Sequence, residues 1–160
     1  MNTNSLLEAI SVVKENEWTA SEFYGDAAEK TGSTLGRDLF GQLREFELFH
    51  YARLTALEKS LKESDNYIYY EGREFPLPPV IAPKAAEEPQ HQTVINIITR
   101  ALDLEKQAEK AYADLATQIT DPQGHAMFKR LSGEEHMHHR ILTEAYWNLT
   151  NFQAWKWTEA

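Results

Sequence analysis

The sequence contains no cysteine, which excludes disulfides, thiolate zinc sites, cysteine-ligated iron–sulfur clusters and thiol nucleophiles. Positive charge is scarce: 16 Lys and Arg stand against 25 Asp and Glu, a formal net charge of −9. A surface of that sign repels phosphate backbones, so nucleic acid is not an expected partner, whereas cations would be attracted. No run approaches the roughly 20 apolar residues of a membrane span. The opening stretch MNTNSLLEAISVVKENEW lacks a basic region followed by an apolar one. No membrane association and a cytoplasmic location are therefore expected. At 160 residues the chain is read as one domain with material for one core.

Proline is confined. Five of the six prolines, Pro76, Pro78, Pro79, Pro83 and Pro89, fall within residues 64–90, which are read as a connection without a long helix. On either side, helical periodicity predicts helices over about 5–31, 34–61, 90–119 and 122–149. Ser5 with Glu8 fits a capping box for the first. Its stripe runs Ile10, Val13, Glu17, Ala20, Tyr24 and Ala27. The second follows Gly32, with Ser33 or Thr34 as N-cap and the stripe Phe40, Leu43, Glu47, His50, Leu54 and Leu57. The third carries Ile98, Ala101, Glu105, Ala108, Tyr112 and Leu115. Asp121 and Pro122 suit the N-cap and first position of the fourth, whose stripe is Phe128, Leu131, Glu135, His138, Leu142 and Ala145. Short turns near 32 and 121 make each successive pair antiparallel. The long connection could reach roughly 90 Å, more than the about 40 Å length of such a helix. The expected fold is all-α, a ferritin-like four-helix bundle with one long crossover between helices 2 and 3.

The two helix pairs repeat. A shift of 88 residues carries Glu17 to Glu105, Glu47 to Glu135 and His50 to His138. It also matches Ile10 with Ile98, Ala20 with Ala108, Tyr24 with Tyr112, Phe40 with Phe128, Leu43 with Leu131 and Leu54 with Leu142. Two copies of one helical hairpin about a two-fold axis would present similar side chains to one midpoint.

Each of the six ionisable residues occupies a position where its stripe calls for an apolar one. A buried carboxylate without a partner is costly and tends to take up a proton, and four together repel. Two divalent cations would balance four carboxylates. Glu47-x-x-His50 and Glu135-x-x-His138 each put Glu and His on one helix face. A Glu from each of two helices and a Glu-x-x-His from each of the other two is the donor set of di-iron and di-manganese carboxylate bundles. Oxygen and imidazole donors suit iron or manganese. A lone Glu-x-x-His is common and usually solvated, so the joint pattern carries the argument. His139 could compete with His138, but its repeat partner is Tyr51. His91, His125 and His136 read as surface residues. Tyr24 and Tyr112 could donate hydrogen bonds near the site or carry electrons; aromatic core packing is the alternative. Trp147, Phe152, Trp155 and Trp157 read as covering the bundle end or a subunit interface.

On the motifs Glu17-x6-Tyr24, Glu47-x-x-His50, Glu105-x6-Tyr112 and Glu135-x-x-His138 the sequence resembles the rubrerythrin-like branch of the ferritin-like superfamily. The resemblance spans about residues 5–149. It implies two iron ions, with manganese as the other candidate. Glu17 and His50 would be terminal ligands of one, Glu105 and His138 of the other, and Glu47 and Glu135 would bridge. It further implies an oxidoreductase that reduces hydrogen peroxide or dioxygen, and a homodimer. Two departures stand out. The rubredoxin domain common in rubrerythrins is missing, so electrons would come from a separate donor. Ala108 also stands where rubrerythrins often carry an extra Glu. The alternatives from other classes are iron binding or storage without sustained turnover, and an iron-dependent interaction module.

Overall fold

The computed structural model describes residues 1–75 and 85–156; Pro76, Pro78, Pro79, Pro83 and Trp157 lie outside them. The elements in chain order are α1 (Thr3–Lys30), α2 (Thr34–Ser64), β1 (Ala85–Glu87), α3 (His91–Gln118), α4 (Pro122–Phe152) and β2 (Ala154–Lys156). The four helices and their pairing are those expected, α1 against α2 and α3 against α4. None of the described helices is long and apolar enough to cross a membrane.

The helix ends differ from the sequence reading in instructive ways. Asn2, not Ser5, caps α1, its Oδ1 accepting from the Ser5 backbone N–H at 2.8 Å. The helix thus begins a turn before its first buried residue. Helices α2 and α4 run about one turn beyond their apolar stripes and stop at Asp65 (φ 58°) and Gln153 (φ 55°), both left-handed. Periodicity marks the last buried residue, whereas the left-handed residue marks the last helical one. Asp121 caps α4 as predicted, accepting from the backbone N–H groups of Gln123 and Gly124, with Pro122 at the first position.

The core lies in two apolar clusters. One joins Ile10 and Val13 of α1, Leu54 and Leu57 of α2, Leu115 of α3 and Phe128 and Leu131 of α4. The other joins Tyr24 and Ala27 of α1, Leu39 and Leu43 of α2, Val94 and Ile98 of α3 and Leu142 and Leu149 of α4. The end of α2 and the start of α3 are therefore at opposite ends of the bundle, and the connection between them crosses its full length.

A two-stranded antiparallel sheet, absent from the sequence reading, closes one end. Strand β1, at the end of the crossover, pairs with β2 in the tail, with Ala86 opposite Trp155. Trp155 is fully buried and donates from Nε1 to Glu88 Oε1 at 2.9 Å. Glu88 also accepts from the backbone N–H groups of Gly32 (2.9 Å), Ser33 (3.3 Å) and Gln90 (2.9 Å). Ser33 makes no side-chain cap bond, so a carboxylate from the far end of the crossover satisfies the start of α2 instead. Gly36 makes room: a Cβ there would fall 2.5 Å from the Trp155 ring. Truncating Trp155→Ala should cost about 3–5 kcal/mol. The melting temperature should then fall by roughly 10 °C, which thermal denaturation followed by circular dichroism checks.

Candidate metal centre

Glu17, Glu47, His50, Glu105, Glu135 and His138 converge midway along the bundle, between the two apolar clusters, and all six are buried. Glu17 and Glu105 come from α1 and α3; the two Glu-x-x-His pairs come from α2 and α4. Nδ1 of His50 lies 3.5 Å from Glu17, 3.7 Å from Glu47 and 2.9 Å from Glu135. Nδ1 of His138 lies 3.4 Å from Glu105, 3.5 Å from Glu135 and 3.1 Å from Glu47. The repeat seen in the sequence is thus a repeat in space. Glu47 turns Oε2 toward His50 and Oε1 toward His138, and Glu135 does the reverse.

These atoms form two overlapping groups that could each hold a metal ion. One comprises Glu17, Glu47, His50 and Glu135; the other comprises Glu47, Glu105, Glu135 and His138. Both histidine Nδ1 atoms, both oxygens of Glu135, and one oxygen each of Glu17, Glu47 and Glu105 lack a hydrogen-bond partner. Buried polar atoms are seldom left so. Seven of them facing one point fit oxygen- and nitrogen-liganded divalent ions.

The tyrosines cross between the repeats. Tyr24 of α1 donates to Glu105 of α3 at 2.5 Å, and Tyr112 of α3 donates to Glu17 of α1. Each phenol therefore fixes the carboxylate of the opposite hairpin, in addition to packing in the core. His139 is half-buried and stands outside the cluster, and His136 is exposed.

Glu134 was missed by the sequence reading. Buried on α4, it accepts from His50 Nε2 at 2.9 Å, Tyr70 Oη at 2.5 Å, the Arg73 backbone N–H at 2.8 Å and Arg130 Nε at 3.0 Å. It holds the His50 Nε2 proton, so the proton that His50 gives up to a metal ion would come from Nδ1, on the cluster side. The repeat carried a clue, since the residue 88 positions earlier is Phe46. An acid facing a phenylalanine across an otherwise matched pair signals a specific role. Tyr70, in the crossover, carried no such signal. Replacing Glu134→Gln removes the charge behind His50 and should weaken metal binding ten- to a hundredfold, measured by competition with a chelator.

Burial and mutual charge decide where protons sit when no metal is bound. Burial pushes the Glu47 carboxyl up to about 8, helped by the charges of Glu17 and Glu105. Burial raises Glu135 well above the ordinary range too, with Glu105, Glu47 and Glu17 adding to it. At Glu17 burial is outweighed by a hydrogen bond with Glu47 and by the His50 charge, and its carboxyl drops to about 2. Glu105 is lowered against burial by the His138 charge and by the adjacent, neutral Glu135 carboxyl. Both histidines are raised against burial, chiefly by Glu17 at His50 and by Glu105 at His138. Two carboxylates, two carboxylic acids and two imidazolium ions make a neutral cluster.

A slot of about 130 Å³ between α1 and α3 opens onto Glu17, Glu47, Glu105 and Glu135 but onto neither histidine. Ala20 and Ala108 line it. A volume of that order admits only a few water-sized molecules.

No protein-family model and no curated protein matches the chain. Among solved structures it is similar to a hypothetical protein from Pyrococcus furiosus. The TM-score is 0.73 and the identity 24%, over 96% of this chain and 93% of that one. That likeness is one of fold: a four-helix bundle whose two hairpins are joined by a crossover, here enclosing a buried glutamate–histidine cluster.

Proposed function

We propose that the chain is a rubrerythrin-like di-iron carboxylate protein that reduces hydrogen peroxide or dioxygen with electrons from a separate donor. The observation that carries this is the pair of overlapping groups sharing Glu47 and Glu135. Glu17 and His50 would complete one iron position, Glu105 and His138 the other. When bound, the iron pair would supply two electrons at a single place, each ion passing only from ferrous to ferric.

The rest is assigned to the protein's own groups. Tyr24 and Tyr112 hold protons against Glu105 and Glu17 and fix their orientation. Glu134 holds the Nε2 proton of His50. The apolar clusters above and below exclude bulk water, which strengthens every charge interaction between them. The slot limits reactants by size, admitting dioxygen or hydrogen peroxide and rejecting bulky organic molecules. It brings them to the carboxylate side, where oxygen donors can shift between binding modes, while the histidines stay fixed behind.

Metal analysis and stopped-flow mixing test the reading. Protein reconstituted with ferrous iron without air should bind two ions per chain. Mixing with either hydrogen peroxide or dioxygen should oxidise them faster than free ferrous iron in the same buffer, and added reductant should restore them. Absence of acceleration by both oxidants would falsify the enzymatic reading.

A further inference from the structure

The molecule has a second cavity, on the opposite side from the slot. It is a groove of about 780 Å³ walled by α2, α4 and the start of the crossover, within the roughly 300–1,000 Å³ range of small-molecule sites. Phe46, Phe75, Met137 and Ile141 make it apolar, and His138 forms part of its floor.

Two residues of its lining carry donors without a partner among the described residues. The His138 ring turns Nδ1 to the carboxylates, and its Nε2, on the far edge, is buried without a hydrogen-bond partner. The Arg73 guanidinium also lines the groove. It rests over the rings of Phe46 and Phe49, 5.4 and 5.7 Å from their centroids, and forms no ion pair among the described residues. The other carboxylate near it, Glu134, is engaged by His50, Tyr70, Arg130 and the Arg73 backbone. Glu74 and Glu134 are the two acids of the lining, against the three bases Arg73, Lys129 and Arg130.

The repeat sharpens the point. Behind His50 stands a carboxylate, Glu134; behind His138 the equivalent residue is Phe46, whose ring lies 4.4 Å from the imidazole, centroid to centroid, and offers no acceptor. What His138 lacks is a carboxylate, and the groove that reaches it is apolar with a basic edge. We propose that this groove binds a monocarboxylic acid with an apolar body, its carboxylate accepting from Arg73 and His138 Nε2 and its body lying against Phe46, Phe75, Met137 and Ile141. The bound acid supplies to His138 the acceptor that Glu134 supplies to His50. The proposal does not require redox turnover, so it can fail while the di-iron reading stands, and the reverse.

Gly133 gives a clean test. It lines the groove on α4, and a Cβ there would meet nothing within 4 Å, so Gly133→Leu fills the groove without disturbing the fold. Calorimetric titration of the full-length, metal-free chain with decanoate should show binding. Arg73→Gln and Gly133→Leu should each weaken it at least tenfold while melting as cooperatively as the parent. Decan-1-ol, which has the same chain without the charge, should bind at least tenfold more weakly than decanoate. The His138 Nε2 proton resonance should move on adding decanoate to the parent and stay put in Gly133→Leu. No binding to the parent, binding to either variant as tight as to the parent, or decan-1-ol binding as tightly as decanoate would each overturn the proposal.

Discussion

Replacing Glu135→Gln should reduce the metal content from two ions per chain to one or none, while leaving the metal-free protein at least as stable as the parent. The first half follows from geometry. Glu135 presents one oxygen to each histidine side and belongs to both candidate metal groups. An amide has a single oxygen, so it serves one side and turns an NH2 group to the other. It also removes one of the four negative charges that two divalent ions need. The second half follows from protonation. In the metal-free fold Glu135 is held as the neutral acid by burial and by its neighbours' charges, and glutamine copies that neutral state. Elemental analysis with thermal denaturation separates the two halves. A variant that keeps two ions contradicts the bridging role; a variant that loses metal only because it unfolds contradicts the protonation account. Glu47→Gln should behave alike, since Glu47 is the equivalent residue of the other hairpin and is likewise raised, to about 8.

The same groups make stability depend on pH in opposite senses with and without metal. Glu47 moves from an ordinary 4.5 to about 8 in the fold. A carboxyl raised in this way stabilises the folded state below 4.5 and loses that contribution as pH climbs to 8, because the unfolded chain has already released the proton. The histidines, raised above 6.5, likewise stabilise below 6.5 and lose their contribution as pH rises through their folded values. Glu17, lowered to about 2, and Glu105, also lowered, work the other way: their contribution is present above 4.5 and fades below it. The metal-free protein should therefore be most stable near pH 5 and weaken by several kcal/mol toward pH 8. Binding two divalent ions displaces the protons of Glu47, Glu135, His50 and His138, about four in all, so affinity should climb steeply with pH. Calorimetric titration in buffers of different ionisation enthalpy should count about four protons released per pair of ions near pH 7. Melting temperatures with and without metal should diverge from pH 5 to pH 8; a constant gap would remove the shared-proton account.

Much of this centre was legible from local spacing. Glu47 and His50, or Glu135 and His138, share a face because a helix turns 100° per residue, and the 88-residue offset puts both pairs at one level. The exchange of tyrosines followed less directly. Tyr24 and Tyr112 share stripes with Glu17 and Glu105, yet each bonds the glutamate of the opposite hairpin, because antiparallel packing of α1 on α3 brings each phenol toward the other helix's carboxylate. What stayed hidden depends on contacts far apart in sequence. Glu88 and Trp155 are 67 residues apart, and β1 and β2 are three residues each, too short for a periodic signal. Tyr70 and the Arg73 backbone reach Glu134 from an irregular segment whose course periodicity does not encode. Glu134 itself could have been noticed as a departure from the repeat.

That departure shows what joining the hairpins makes possible. Were the bundle assembled from two identical chains, whatever residue stood behind one imidazole would have to stand behind the other. Encoded in one polypeptide, position 46 is free to be Phe while position 134 is Glu. The side that carries the slot keeps its matched pairs, Glu17 with Glu105 and Ala20 with Ala108. The two halves can thus be tuned apart from the rear, without altering the matched residues that line the slot at the front.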